Sequence, residues 1–359
     1  SFYGEVRGPK SVSLELLPSR LFFGQGIWAN AEQASITIDS STVRIGGLEM
    51  RNGHQRVAFN GTISRDSHEA LAFVLDSVEL ANFIPLIDGP PINGRLSAEG
   101  RLFDVYGTPH VVSAARADSV RVRHLLVGDV ALAVSWIEGK GALDLNGRIE
   151  RGPIKALDFT GRVGLLDEGE LDLKLLMDRF DLALADPYLP EGFSGLGGHA
   201  TGQVQLTGTL VKPELSGALD LSAATMRIDY LNTRYTADAH VGIGDELFTV
   251  DHATVHDELG RTARVGATVA HIGLRDWSYD IWRSMDRMKV LNTTQAMNSL
   301  YHGTAFATGD FGVSGSRGSL EITVQATTAP GTDVRMPVGG SVEVSPISFV
   351  HFGAPDSVD

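Results

Sequence analysis

The residues best suited to chemistry are eleven histidines and scattered carboxylates. The closest histidine pair, His252 and His256, is followed by Asp257 and Glu258. Two histidines four residues apart can bind a metal on one face of a helix, but this pair lacks the glutamate of the zinc-protease motif HExxH. On a strand the two side chains would lie about 13 Å apart. The spacing favours surface residues, and we expect neither a metal site nor a cofactor.

Other catalytic patterns are equally weak. The glycine-rich segment GFSGLGGHATG, Gly192 to Gly202, is similar to a phosphate-binding loop, but it lacks GK[ST] and no helix follows, so it predicts a turn. The nucleophile pattern G-x-S-x-G is missing from the sequence. Carboxylates such as Asp118, Asp220 and Asp229 indicate solvated strand positions, and no acid/base pair stands out among them. We therefore predict that the chain is not an enzyme.

Composition narrows the class of protein further. The 359 residues are 43% hydrophobic, which is enough to bury a core. A net charge of -14 disfavours nucleic acid and anionic lipid headgroups, so any lipid contact has to be apolar. Cysteine is absent, which excludes disulfides and suits an oxidising compartment. No stretch approaches the roughly 18 apolar residues of a membrane helix, and we expect the chain to be part of a longer protein.

The elements that must position any site are β-strands. Apolar and polar residues alternate along the chain, as in Leu219, Asp220 and Leu221, and such alternation predicts antiparallel strands with one apolar face and one wet face. Glycine, 41 residues in all, punctuates these runs as in β-turns. The positions predicted to share the apolar face and to line a groove are Leu143, Leu145, Ile149, Leu171, Leu173, Leu175, Val204, Leu206, Leu215, Leu219, Leu221, Met226, Ile228, Val265, Val269, Phe311, Val313, Leu320, Ile322 and Val324.

Departures from alternation are few. Two short helices are predicted, at Leu80 to Ile87 and at Thr293 to Tyr301. The densest aromatic group is Trp277, Tyr279 and Trp282. The first two share a strand face with Ile281, and they are expected to serve local packing or to contact a lipid tail.

The chain also repeats itself. Leu80 to Leu102 aligns with Leu184 to Leu206, about 104 residues later, and a third copy begins near Asp286. We predict units of five or six strands, each of about seven residues, with the boundaries 1–80 (partial), 81–184, 185–291 and 292–359 (partial). No linker separates the units, so one continuous sheet is expected. A β-helix enzyme acting on polysaccharide would need rungs of about 20–25 residues and clustered acids, which are not apparent.

One segment resembles a known family. The motif G-x-(β)-L-x-G-x-L-x-x-P-x-L-x-G-x-L-x-L is carried by Gly202, Leu206, Gly208, Leu210, Pro213, Leu215, Gly217, Leu219 and Leu221. It is similar to the translocation and assembly module TamB family, within the AsmA-like group of bridge-like lipid-transfer proteins. The segment from Tyr301 to Pro337 resembles the region before the C-terminal domain of Bacteroidetes-type members.

The resemblance implies an all-β fold called a β-taco, a long sheet curled lengthwise around an apolar concave face. It implies a periplasmic, inner-membrane-anchored protein that reaches the outer membrane and carries phospholipid. An outer-membrane assembly protein of the Omp85 class would be a partner, through regions that the motif does not include. Two alternatives stay open: a scaffold for outer-membrane β-barrel proteins that acts by strand addition, and an ordinary sandwich core in place of a groove.

Overall fold

A single antiparallel β-sheet dominates the molecule. The computed structural model describes residues 2–6, 11–23, 26–30, 32–66, 68–82, 91–106, 110–137, 141–164, 169–189, 191–209, 211–273 and 275–336. Within these ranges, 23 strands join into one sheet, accompanied by two short 3-10 helices. The prediction of a long, repetitive, all-β sheet is confirmed.

The strands fall into groups between the longer connections. The first eight are β1 (Phe2–Val6), β2 (Ser11–Leu16), β3 (Ser19–Phe23), β4 (Gly26–Asn30), β5 (Ala34–Asp39), β6 (Thr42–Asn52), β7 (Gln55–Ile63) and β8 (Ala70–Glu79). The next six are β9 (Ile92–Phe103), β10 (His110–Val122), β11 (Leu125–Ile137), β12 (Ala142–Arg151), β13 (Ile154–Gly164) and β14 (Leu171–Asp181). Six more are β15 (Phe193–Gly208), β16 (Pro213–Ile228), β17 (Thr233–Gly244), β18 (Leu247–Asp257), β19 (Thr262–Ile272) and β20 (Arg275–Thr293). The last are β21 (His302–Ser316), β22 (Ser319–Thr328) and β23 (Asp333–Arg335).

Sequence order and sheet order coincide over most of the chain. From β5 to β22 each strand pairs with the next one, and β2 pairs with β1 and β5. The β3–β4 hairpin lies beside the far end of β6, and β23 lies beside the start of β21. Pairing continues between β8 and β9, between β14 and β15, and between β20 and β21, so the sheet crosses the connections that separate these groups.

The strands are longer than predicted. β15 and β16 have 16 residues each and β20 has 19, against an expected length of about seven. The short estimate was wrong because β-bulges and glycines interrupt the alternation inside a strand, so one long strand looks like two short runs. The segment Gly192 to Gly202 shows this well. It was predicted to be a turn, yet nearly all of it lies in β15, where Gly195 and Gly198 take positive φ at irregular pairing.

The repeat is visible as a recurring bulge. Ser77 on β8, Arg179 on β14 and Arg287 on β20 all adopt positive φ, at 52°, 54° and 48°. Each donates its backbone N–H to a hydroxyl on the following strand, at 3.0, 3.2 and 2.9 Å, and the acceptors are Ser97, Thr201 and Thr308. A bulge bends its strand, and this bulge with a hydroxyl acceptor recurs on every sixth strand.

Neither predicted helix forms as an α-helix within the described residues. Residues 294–301 form a turn, closed by bonds from the N–H groups of Met297 and Asn298 to the carbonyl of Thr294. Leu80–Asn82 is a single 3-10 turn, and residues 83–87 of that prediction lie outside the described residues. The helix that does form, the 3-10 helix Leu182–Tyr188, was not predicted. Asp181 caps it by accepting the N–H of Ala183.

Candidate functional site

The strand register places the predicted apolar positions on one side of the sheet. Leu143, Val163 and Leu171 are successive partners on β12, β13 and β14. Further along, Leu173, Leu206 and Leu215 form a similar row on β14, β15 and β16. When the strand pairing is followed from one strand to the next, all twenty predicted positions, up to Val324, fall on this side of the sheet. We call this side the apolar face; the side chain of Leu320 lies outside the described part of the chain.

The opposite side, which we call the charged face, carries ion pairs between neighbouring strands. Arg148 and Asp158 are register partners 2.7 Å apart, and Asp220 and His240 are partners at the same distance. His252 and His256 are exposed on β18, as predicted. Of the three aspartates assigned to strands, Asp229 instead lies in the turn after β16, where it accepts a bond from Ser194.

The apolar face is only partly covered. Leu171 and Val204 are buried, at 6% and 3% exposure, whereas Ile322 and Val324 are 43% and 57% exposed. The other predicted positions whose side chains are described are all of intermediate exposure. Every described strand belongs to the one sheet, so these strands supply no second sheet to seal that face. Most of these side chains are therefore not interlocked in a dry core, although Val265 and Phe311 pack against a small buried cluster.

Two phenylalanine rings on this face lie over glycines of the neighbouring strand. The ring of Phe73 occupies the space that a Cβ on its register partner Gly100 would need. The ring of Phe159 covers Gly147 in the same manner. Aromatic rings that fill the gap left by a facing glycine stabilise the sheet.

The sheet is strongly curled in the β15–β20 region. The rings of Phe193 on β15 and Tyr279 on β20 touch edge to face, with their centroids 5.3 Å apart. The register leads from Tyr279 across five strands to Val204, and Phe193 lies eleven residues before Val204. In a flat sheet the two rings would be about 40 Å apart. The apolar face is therefore the inner, concave side here, and the curled sheet forms a groove.

One side of this groove is closed by polar bonds. The turn between β16 and β17 reaches the end of β20, where the N–H of Asn292 donates to the carbonyl of Leu231 at 3.0 Å. The side-chain amide of Asn232 donates to the carbonyl of Asn292 at 2.7 Å. Beneath these bonds lies a buried apolar cluster of Ala263, Met285, Met288 and Ala307. The sheet is thus rolled up locally at this end of its strands.

The predicted aromatic group divides between the two faces. Trp277 and Tyr279 lie on the apolar face, and Trp282 lies on the charged face with 38% exposure. Trp277 packs against His271 and Phe248, whose rings have centroids 5.1 Å apart. Burial lowers the pKa of His271, which favours the neutral form of its ring. No pattern in the sequence indicates the ring contact of Phe193 or the rings that lie over Gly100 and Gly147.

No family model, no curated protein and no solved structure matches the chain. Within the part of the chain that the structure describes, no helix is long and apolar enough to span a membrane. Nor do the described His, Asp and Glu side chains gather in a group of three or more that could hold a metal ion.

Proposed function

We propose that the apolar face is a groove that binds the acyl chains of phospholipids and conducts them between the inner and outer membranes, without a catalytic step. One observation carries the proposal: leucine, isoleucine and valine side chains from successive strands form one continuous face that stays partly accessible. An acyl chain needs a surface of this kind, and the charged face keeps the other side of the sheet in water.

The energetics favour apolar capture. Each CH₂ group removed from water contributes about 0.8 kcal/mol, so a sixteen-carbon chain gains on the order of 10 kcal/mol. Exposed apolar patches larger than a few hundred Å² are uncommon on soluble monomers and mark interaction sites. A face built from many similar side chains also offers no single deep site, so a lipid can move along it.

The location follows from the family resemblance. We place the chain in the periplasm, as part of an inner-membrane-anchored protein whose partner at the outer membrane is an assembly protein of the Omp85 class. The absence of cysteine and the net charge of -14 are compatible with that compartment and with apolar recognition of lipid.

Lipid analysis tests the proposal directly. The chain purified from cells should carry phospholipid that mass spectrometry identifies. A photoreactive amino acid at Leu219, on the apolar face, should crosslink to phospholipid, and the same group at Ser216, which is exposed on the charged face, should not. Purified chain free of lipid, together with equal crosslinking at both positions, would disprove the groove.

A second candidate is a scaffold for outer-membrane β-barrel proteins. Among the described strands, β22 has a neighbour on one side only, and its residues Ile322 and Val324 are exposed. An open strand edge can accept a further strand from another protein. This function predicts crosslinks from β22 to unfolded β-barrel protein rather than from Leu219 to lipid.

A further inference from the structure

The contact between Phe193 and Tyr279 spans the interior of the groove. Their strands are separated in the sheet by β16, β17, β18 and β19, yet the two rings meet edge to face. Phe193 lies at the start of β15, and Tyr279 lies on the opposite wall, before the bulge at Arg287. The pair therefore joins the two walls across the space in which an acyl chain would lie.

Tyr279 is held in place from two sides. Its ring occupies the space next to its register partner Gly315, where a Cβ would be only 2.5 Å from the ring carbon that bears the hydroxyl. Its edge-to-face contact with Phe193 closes the other side. Burial raises the pKa of its hydroxyl, in agreement with a ring removed from water.

Further aromatic rings lie close to the pair on the same face. Phe248 is two steps from Tyr279 in the strand register, through Val269, and it packs against Trp277. Phe73 and Phe159 lie over glycines as Tyr279 lies over Gly315, but the described ring contacts join neither of them to a ring on another strand. The Phe193–Tyr279 pair is thus a place where aromatic side chains from the two walls meet on the apolar face.

We infer that Phe193 and Tyr279 form a gate, which an acyl chain passes only when the two rings separate. This inference rests on the proposed function and adds a specific residue pair to it. A flexible, linear acyl chain can pass between parted rings, whereas a rigid fused-ring lipid cannot follow the same path. The pair therefore selects for phospholipid tails and sets the rate at which they move along the groove.

A transfer assay with a reversible block tests the gate. The chain is tethered to donor vesicles at its N-terminus and to acceptor vesicles at its C-terminus, and both contain phosphatidylethanolamine and phosphatidylglycerol. The sequence has no cysteine, so Phe193→Cys with Tyr279→Cys gives one pair for a short bis-thiol reagent with a reducible link. The matched control is Thr236→Cys with His256→Cys, register partners on the charged face.

Crosslinking the gate pair should lower the transfer of fluorescent phospholipid by more than about tenfold, and reduction of the link should restore it. The control pair should transfer equally in both states. In addition, Phe193→Ala should speed transfer by about two- to tenfold, the range expected for losing one ring pair. Trp282→Ala removes a ring from the charged face, outside the groove, and should leave the rate within about twofold of the unmodified chain.

The outcomes separate the gate from the groove. Transfer that proceeds unchanged through the crosslinked gate pair would overturn the gate and leave the groove standing. Absence of transfer by the unmodified chain would instead remove the proposed function and the gate with it. If Phe193→Ala unfolds the chain, Phe193→Leu keeps an apolar side chain without the ring and takes its place: faster transfer supports the gate, and an unchanged rate overturns it.

Discussion

The hydroxyl of Tyr235 on β17 donates a hydrogen bond of 2.9 Å to the backbone carbonyl of Lys289 on β20. The two strands are not neighbours in the sheet, because β18 and β19 lie between them. Tyr235 also packs against the buried cluster that contains Met285 and Met288. One side chain thus links two strands across the concave side and helps to hold the sheet rolled.

Removing this hydroxyl should destabilise the rolled part of the sheet. Tyr235→Phe leaves the carbonyl of Lys289 without its side-chain donor, and loss of a buried bond costs about 1–2 kcal/mol. We expect the guanidinium midpoint of unfolding to fall by the corresponding amount. Tyr188→Phe is the matched control, because Tyr188 is 67% exposed and its hydroxyl is not in a buried bond. Equal midpoints for the two variants would show that the link does not stabilise the fold.

The same tyrosine predicts a dependence of stability on pH. Burial raises the pKa of Tyr235 from 10.0 to about 12. The folded-state pKa is higher than the unfolded one, so this stabilisation is complete below about pH 10 and is lost as pH rises to about 12. Two pKa units correspond to about 2–3 kcal/mol. The difference in free energy of unfolding between the unmodified chain and Tyr235→Phe should therefore shrink between pH 9 and pH 12. A difference that stays constant over this range would contradict the raised pKa of Tyr235.

The groove itself predicts the effect of a charge on the apolar face. Leu219→Asp places a carboxylate where an acyl chain would lie, and a charge buried against hydrocarbon is strongly disfavoured. We expect phospholipid transfer to fall more than about tenfold, with the fold retained because Leu219 is only partly buried. Ser216→Asp, on the charged face, should transfer normally. Normal transfer by Leu219→Asp would count against the groove.

Much of the apolar face could be predicted from sequence because alternation is a local property. Leu215, Leu219 and Leu221 alternate with polar residues, and the register confirms that they share a face. Met226 was assigned to the same face although it is five residues beyond Leu221, an odd number that should reverse the side. The bulge at Ala223 supplies the missing step, since Ala223 takes φ of 47° and its N–H is accepted by Asp238.

The curl of the sheet could not be predicted in that way. Phe193 and Tyr279 are far apart in sequence, and neither belongs to a pattern that indicates a contact. Likewise, the turn at residues 294–301 has a helix-like composition, but Asn298 accepts the N–H groups of Leu300 and Tyr301 and stabilises the turn instead. Side chains that bind nearby backbone compete with helix formation.

The recurring bulge should respond to loss of its hydroxyl. Thr201→Val removes the oxygen that accepts the N–H of Arg179, and a partly solvated bond of this kind contributes about 0.5 kcal/mol. The amide of Arg179 should exchange with deuterium several times faster, with little change at other amides. Thr254→Val, an exposed threonine on the charged face of β18, is the control. Unchanged exchange at Arg179 would mean that the hydroxyl does not hold the bulge.

The ring that lies flat over Gly147 predicts a compensated pair of substitutions. Gly147→Val adds a side chain where the ring of Phe159 lies, so the ring must tilt away from the sheet into the groove. Such overpacking costs about 1–3 kcal/mol, and the tilted ring should also narrow the path for lipid. Adding Phe159→Ala should recover both stability and transfer, because the smaller side chain leaves room for the valine. A double variant as unstable as Gly147→Val alone would show that glycine is needed at 147 for its backbone and not for the ring it supports.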